Sequence, residues 1–257
     1  MNSFRQLHQI STHSRREIAF DAVCEADAKS GTCRSTSHAR SAFYTRFGKP
    51  VFDTFGAAAA LVIAGPVLLL SAVAIRLESR GPVFFRQWRV GQNGKPFQVI
   101  KLRTMIYGAD KLGPKITASG DRRITRVGAF LRRTKLDELP QLLNVLRNEM
   151  SLVGPRPEVP EYTLKYSLAE RKVLDVKPGI TGPASLAHIS EEQLLAGRTD
   201  KEHFYVNTIM RQKLELDLAY CRNLSFSQDL KNILQTARAL LVPRDFRSKN
   251  MKIQPTR

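Results

Sequence analysis

Apolar residues fall along the chain in three different patterns. Between residues 54 and 75 they form one block, TFGAAAALVIAGPVLLLSAVAI, with no charge in 22 positions. As a straight helix this block is about 33 Å long, enough to cross a bilayer. A buried core helix is the soluble alternative, but this length and purity favour a membrane. Between 81 and 104, GPVFFRQWRVGQNGKPFQVIKLRT, apolar and polar residues mix at short range around GQNGK. Asn93-Gly94 is a strong hairpin signal and predicts two strands, VFFRQWRV and PFQVIKL. Further on, helical spacing predicts helices over 124–133, about 137–148, 161–174, 201–220 and 227–241. In the last, Phe226, Leu230, Ile233, Leu234, Ala237 and Leu241 share one face, as the stripe of an amphipathic helix does. Residues 108–122, the proline-broken MSLVGPRPEVP (150–160) and DVKPGITGPASL (175–186) are predicted loops.

The ends lack a sustained apolar period. Residues 1–42, rich in Ser, Thr, Arg and His, are expected to form a flexible basic arm. They hold no apolar core of signal-peptide length; an arginine-bearing presequence is the alternative. The chain therefore divides into an arm (1–42), a membrane segment (43–80), a globular domain (81–242) and a loose basic tail (243–257). No second segment of membrane-spanning character is present, so a polytopic protein is not expected. The expected fold class is α+β, predominantly helical, with a small β-hairpin.

Charge alters the membrane picture. Lys and Arg total 41 against 23 acids, a formal net charge of +18. Arg40, Arg46 and Lys49 precede the apolar block, and Arg76, Arg80, Arg86 and Arg89 follow it. Basic flanks favour the cytoplasmic side, and one span cannot place both flanks there. Gly65-Pro66 sits mid-block, where proline removes a hydrogen bond and can kink a helix. A re-entrant, monotopic segment satisfies both observations; a one-pass span is the alternative. The charge excess itself points to nucleic acid, anionic lipid or phosphate-bearing substrates as partners.

Cysteine and histidine contribute little. Cys24, Cys33 and Cys221 are odd in number and form no CxxC, and the five histidines show no ligand spacing. A disulfide framework or zinc site is not expected. No phosphate-binding GxxxxGK[ST] and no GxSxG elbow is present.

The candidate chemistry lies in TKLDELPQLL (134–143). Asp137 and Glu138 stand side by side after Arg122, Arg123, Arg126, Arg132, Arg133 and Lys135. Pro140 belongs in a first helical turn, so the pair is placed at a helix start, with Thr134 or Asp137 as N-cap. Acids are common there for capping alone. Their company suggests more. Arg156, between two prolines, is presented from a stiff loop; Lys101 and Arg103 close a strand; Asp121 is a further loop acid. Carboxylates with phosphate-matched cations and Mg²⁺ suit phosphoryl transfer, and an aspartate can attack phosphorus.

Taken in order, the basic-flanked apolar block with its proline, GPVFFRQWRVGQNGKPFQVIKLRTM, DRRITRVGAFLRRTKLDELPQLLNVL, MSLVGPRP and VKPGITGPASL resemble the bacterial sugar transferases, monotopic phosphoglycosyl transferases acting on polyprenyl phosphate. The resemblance covers about 46–241. It implies transfer of a sugar-1-phosphate from a UDP-sugar to undecaprenyl phosphate, with release of UMP. Asp137 would form a phosphosugar intermediate and Glu138 would hold Mg²⁺ and assist, so that both acids serve the metal. Arg156, Lys101, Arg103 and Asp121 would line the substrate site, and Gly65-Pro66 would be the membrane kink. It further implies a bacterial inner membrane location with the catalytic domain facing the cytoplasm, no nucleic acid partner, and downstream glycosyltransferases that extend the lipid-linked sugar. A membrane-tethered basic binding or scaffold protein is the alternative. The chain departs from the family pattern at Gly65 (often Ser), Leu102 in KLRTM, Lys135, Asn148 and the PASL of PGITGPASL. The last bears on the sugar rather than on the reaction.

Overall fold

The computed structural model describes residues 43–109, 121–189, 191–196 and 198–241. The arm (1–42), most of the 108–122 loop and the tail lie outside the described residues. Helix α1 spans Lys49–Glu78, entered through a π-helical turn at Tyr44–Gly48. It continues unbroken across Gly65 and Pro66, and at 1.5 Å per residue it is about 45 Å long. From Tyr44 to Glu78 it is long and apolar enough to cross a membrane. Its packing is inverted relative to a soluble helix. The residues it buries include Lys49, Asp53, Ala57 and Ser71, whereas Ile63 is 79% and Leu70 is 70% exposed. Both of its ends touch the domain. Lys49 donates to the Val153 carbonyl, and Glu78 accepts from the Arg126 and Val127 N–H groups.

The predicted hairpin is present. Strand β1 (Phe84–Val90) pairs antiparallel with β2 (Pro96–Leu102), Phe84 opposite Leu102 and Val90 opposite Pro96. Asn93 and Gly94 turn the chain with φ of 54° and 73°, the left-handed pair that Asn-Gly adopts readily. Strand alternation puts Phe97, Val99 and Lys101 on one face. Phe97 and Val99 pack there with Leu142, Val145 and Met150.

Helix α2 (Arg126–Thr134) is capped by Thr125, whose hydroxyl accepts from Gly128 N–H. Lys135, with φ of 61°, ends it, and a 3-10 helix over Leu136–Gln141 leads into α3 (Leu142–Leu146). From α3 the Asn144 amide donates to Gln98 O and accepts from Ile100 N–H. It thereby serves as a one-residue neighbour to the free edge of β2.

Two predicted loops contain a parallel pair, β3 (Ser151–Val153) with β4 (Gly179–Thr181). At three residues each, these strands are too short to show an alternation. The single helix predicted over 161–174 is instead a short α4 (Pro160–Thr163) and a 3-10 turn over Glu170–Asp175. Ser167 and Glu170 exchange side-chain-to-backbone hydrogen bonds, a capping box that starts a new turn and forces the break. Helices α5 (Pro183–Ala187) and α6 (Glu191–Leu194) follow, and α7 (Lys201–Phe204) runs through a π turn into α8 (Met210–Arg222). Helix α9 (Phe226–Leu241) has the predicted apolar face, but turned mostly outward, with Ile233 alone of the named residues packed on Val153, Tyr220 and Leu224. Leu241 is 85% exposed and Phe226, Leu230 and Leu234 are also exposed, while Asp229 (0%) and Asn232 are buried.

Gly154 and Gly179 cross backbone to backbone. A Cβ on Gly179 would lie 2.0 Å from Gly154 N, whereas a Cβ on Gly65 would meet nothing within 4 Å. Gly179→Ala is therefore expected to destabilise by about 2–3 kcal/mol through overpacking. Gly65→Ala should change stability by no more than about 1 kcal/mol. Thermal unfolding of the detergent-solubilised variants measures both; equal shifts would contradict the crossing.

Candidate active site

Strand β2, the Leu136–Gln141 turn and the loop after β3 meet at Glu138. Its Oε1 accepts from Lys101 Nζ at 2.8 Å and from Arg156 at 3.0 Å. Lys101 reaches it because alternation along β2 directs that residue to the packed face of the hairpin. Arg156 reaches it because its loop is held at every residue. Gly154 N–H donates to Thr181 O, Gly179 N–H to Pro155 O, Arg156 N–H to Asp217 Oδ2 at 3.4 Å, and Arg89 to Pro157 O.

The two adjacent acids have opposite electrostatic character. Burial would raise Glu138, but Arg156 and Lys101 overcome it and hold the carboxyl well below the ordinary range. Asp137 is only 8% exposed. Burial first, and then the charge of Glu138, push its carboxyl above the ordinary aspartate range, with Lys101, Lys135 and Arg132 opposing. Its Oδ1 is buried without a hydrogen-bond partner. One acid is thus a fixed, ionised anchor. The other has an oxygen uncommitted to the protein, as a nucleophile or a cation ligand requires.

Among the described residues no group of three His, Cys, Asp or Glu is placed to hold a metal. Mg²⁺ takes one or two carboxylates and draws its remaining ligands from water and substrate phosphates. The unpartnered Asp137 oxygen fits that role. Glu138 Oε1 is already committed to two cations.

The predicted residues divide. Lys101, Asp137, Glu138 and Arg156 converge. Arg103 does not join them. It lies beyond the end of β2, and its guanidinium donates to Ser79 O, Ser79 Oγ and Arg80 O, tying the end of α1 to the hairpin. Asp121 forms a local ion pair with Arg123 at 2.6 Å. It is near enough to feel Arg132, the arginine that also acts on Asp137. Neither Thr134 nor Asp137 caps the turn; Thr134 donates instead to the carbonyls of its own helix.

Two residues of this neighbourhood were not among the sequence candidates. Arg89, opposite Phe97 in the hairpin register, is half-buried and interacts with Glu138, Arg156 and Glu158. Counting by twos along β1 would have placed it on the Lys101 face. Asp217 is buried beneath Arg156, with its Oδ1 unpartnered. No local pattern marks it, because its partners are backbone N–H groups distant in sequence. Burial pushes its carboxyl up to about 7.

The folded state therefore holds a proton on Asp217 that the unfolded chain releases near pH 4. Stability is greatest below the unfolded value and should fall between about pH 4 and 7, by at most about 1.4 kcal/mol per unit from this group. Asp217→Asn should flatten that slope in thermal melts taken across this range. An unchanged slope would mean that Asp217 is ionised in the fold.

The family model for bacterial sugar transferases matches residues 44–243. A UDP-glucose:undecaprenyl-phosphate glucose-1-phosphate transferase of Caulobacter vibrioides is 42% identical over 206 residues, 75% of this chain and 69% of that protein. A UDP-N-acetylgalactosamine-undecaprenyl-phosphate N-acetylgalactosaminephosphotransferase of Aeromonas hydrophila is 35% identical over 76% of this chain and 44% of its own length. An exopolysaccharide production protein of Rhizobium leguminosarum bv. phaseoli is 38% identical over 73% and 92% respectively. The match runs from the start of the membrane-type helix to the end of α9 and takes in the acid pair, the hairpin and the Arg156 loop: the chain belongs to the bacterial sugar transferase family.

Proposed function

We propose that this phosphoglycosyl transferase moves a sugar-1-phosphate from a UDP-sugar to undecaprenyl phosphate, releasing UMP. The observation that carries the reading is the buried, unpartnered Asp137 oxygen beside the Glu138–Lys101–Arg156 clamp. The named activities of the Caulobacter and Aeromonas relatives support it.

In this reading Asp137, ionised, attacks the phosphorus that bears the sugar. A new Oδ–P bond forms, the bond to the bridging oxygen breaks, and UMP leaves with that oxygen. The lipid phosphate then attacks the same phosphorus, the Asp137–P bond breaks, and the carboxylate is regenerated with the lipid diphosphate-sugar as product. Such a two-step route divides one displacement into two. Arg156 and Lys101 offer their remaining donors to phosphate oxygens, and Arg89 and Arg132 add positive charge around them. Glu138 holds the two clamping cations in register. Mg²⁺, held by Asp137 with Glu138 beside it, would supply charge neutralisation for the phosphates.

The packing of α1 supports a monotopic arrangement. Lys49 and Glu78 each bond to the same globular domain from opposite ends of the helix. A transverse span would carry one of those contacts across the bilayer. Both ends then stay on the cytoplasmic face of the inner membrane with the exposed apolar side in lipid, and Gly65-Pro66 is where a missing hydrogen bond permits bending. Basic residues near such a surface each contribute about 1 kcal/mol on an anionic leaflet. The lipid product would pass to glycosyltransferases that extend it.

UMP release by the detergent-solubilised protein tests the reading, with undecaprenyl phosphate, Mg²⁺ and a panel of UDP-sugars. Release should need both lipid and Asp137, and Asp137→Asn should abolish it. Arg156→Ala should cost about 100-fold or more. Because the raised Asp137 must lose its proton to attack, activity should fall with decreasing pH at a value above the ordinary aspartate range. Turnover by Asp137→Asn would refute the nucleophile; silence with every sugar nucleotide would refute the reaction.

A further inference from the structure

Far along the chain from the acid pair, the start of α1 carries a second polar cluster that the reaction does not use. Lys49 Nζ lies 2.6 Å from Asp229 Oδ2 and 3.0 Å from Val153 O, and both of these acceptors are buried. Asp53, one turn on, accepts from Leu152 N–H at 3.0 Å. Tyr44 donates to Asp229 at 2.7 Å, and Tyr220 OH lies 2.6 Å from Asp229 Oδ1 and 3.1 Å from Val153 O. The cluster thus joins α1, α8 and α9 to the backbone of β3. The approach of α1 is close: a Cβ on Gly56 would come within 2.7 Å of the Leu152 side chain.

The location matters because β3 leads directly into Gly154-Pro155-Arg156-Pro157. β3 has one strand neighbour, β4. On the α1 side its Leu152 N–H and Val153 carbonyl are taken by Asp53 and Lys49. Three residues past Val153, Arg156 meets Glu138 at 3.0 Å. Arginine is a long side chain, and its contact holds only if the backbone that carries it is fixed. A well-packed apolar contact could dock α1 at least as strongly, since burying ion pairs is costly. What an ionic cluster adds is one register: α1 cannot slide or rotate without breaking hydrogen bonds to β3.

We propose that Lys49 and Asp53 are positioning residues. They act through the backbone of Leu152 and Val153 to hold the Arg156 guanidinium on Glu138, and so couple the seating of the membrane-type helix to the phosphate-binding geometry of the site. The phosphate-binding part of this proposal rests on the role given to Arg156 above.

The test uses the full chain in detergent, as Lys49→Met, Lys49→Arg and Asp53→Ala. Two quantities are read: the rate at which phenylglyoxal modifies Arg156, followed by mass spectrometry relative to exposed Arg126, and kcat/KM per folded molecule. Lys49→Met and Asp53→Ala should speed modification of Arg156 severalfold and lower kcat/KM by about 100-fold, as small misplacements of reacting groups do. Lys49→Arg should restore most of both. Unchanged Arg156 modification and unchanged kcat/KM in the folded fraction, with only a lower melting temperature, would overturn the proposal and leave a purely structural cluster. Should Lys49→Met fail to fold, Asp53→Ala removes the acceptor of the Leu152 N–H, leaves Lys49 on the Val153 carbonyl, and decides the matter. If the wild type turns over no sugar nucleotide, the reaction assigned above falls, while the modification rates still decide the positioning.

Discussion

One carboxylate oxygen organises the site. Glu138 Oε1 receives Lys101 from the hairpin and Arg156 from the loop after β3. All three groups are largely withdrawn from water. Removing one partner would leave the others as partly buried charges without compensation, which is destabilising. The clamp is therefore cooperative. It also explains how a chain of net charge +18 gathers cations at one point without their repelling each other apart: burial drives the Lys101 ammonium toward neutrality, and Glu138 opposes that.

The asymmetry of the acid pair follows from the same clamp. Two adjacent carboxylates in a low-dielectric setting cannot both ionise freely. The one with two cationic partners keeps its charge, and its charge is among the forces that raise the other. Asp137 is left with an oxygen that the protein does not use. Its chemical availability comes from how few partners it has.

Much of this was legible in the sequence wherever a local rule applied. Asn93-Gly94 fixed the hairpin, Pro140 fixed the turn that carries the dyad, and 22 uncharged positions marked the membrane-type helix. The misreadings occur where long-range partners decide. Arg103 is one residue past the strand end, so alternation no longer governs it, and it binds the end of α1 instead. The β3–β4 pair escaped because three-residue strands have no period, and their association rests on Gly154 and Gly179 permitting backbone contact. Helix α9 shows a deeper limit. Its apolar stripe was found, but periodicity gives the axis of a stripe and not its sign. The polar face carrying Asp229 turns inward because Lys49, Tyr44 and Tyr220 are waiting there.

That inversion and the inversion of α1 have a common logic. A helix that shows most of its apolar residues outward has few left to grip the protein, so polar contacts and close backbone approach must add to that grip. Along α1 these are Lys49, Asp53, Gly56 and, at the far end, Glu78, beside the apolar seating of Ala57 and Ile75. Polar contacts of this kind are poor sources of net stability but strict sources of geometry. An enzyme that draws one substrate from lipid and another from water has a use for such strictness. With α1 lying in the membrane as proposed, the site would need a fixed depth relative to it, and the hydrogen bonds that join Lys49 and Asp53 to the strand leading into Arg156 would set that distance more sharply than sliding apolar surfaces could.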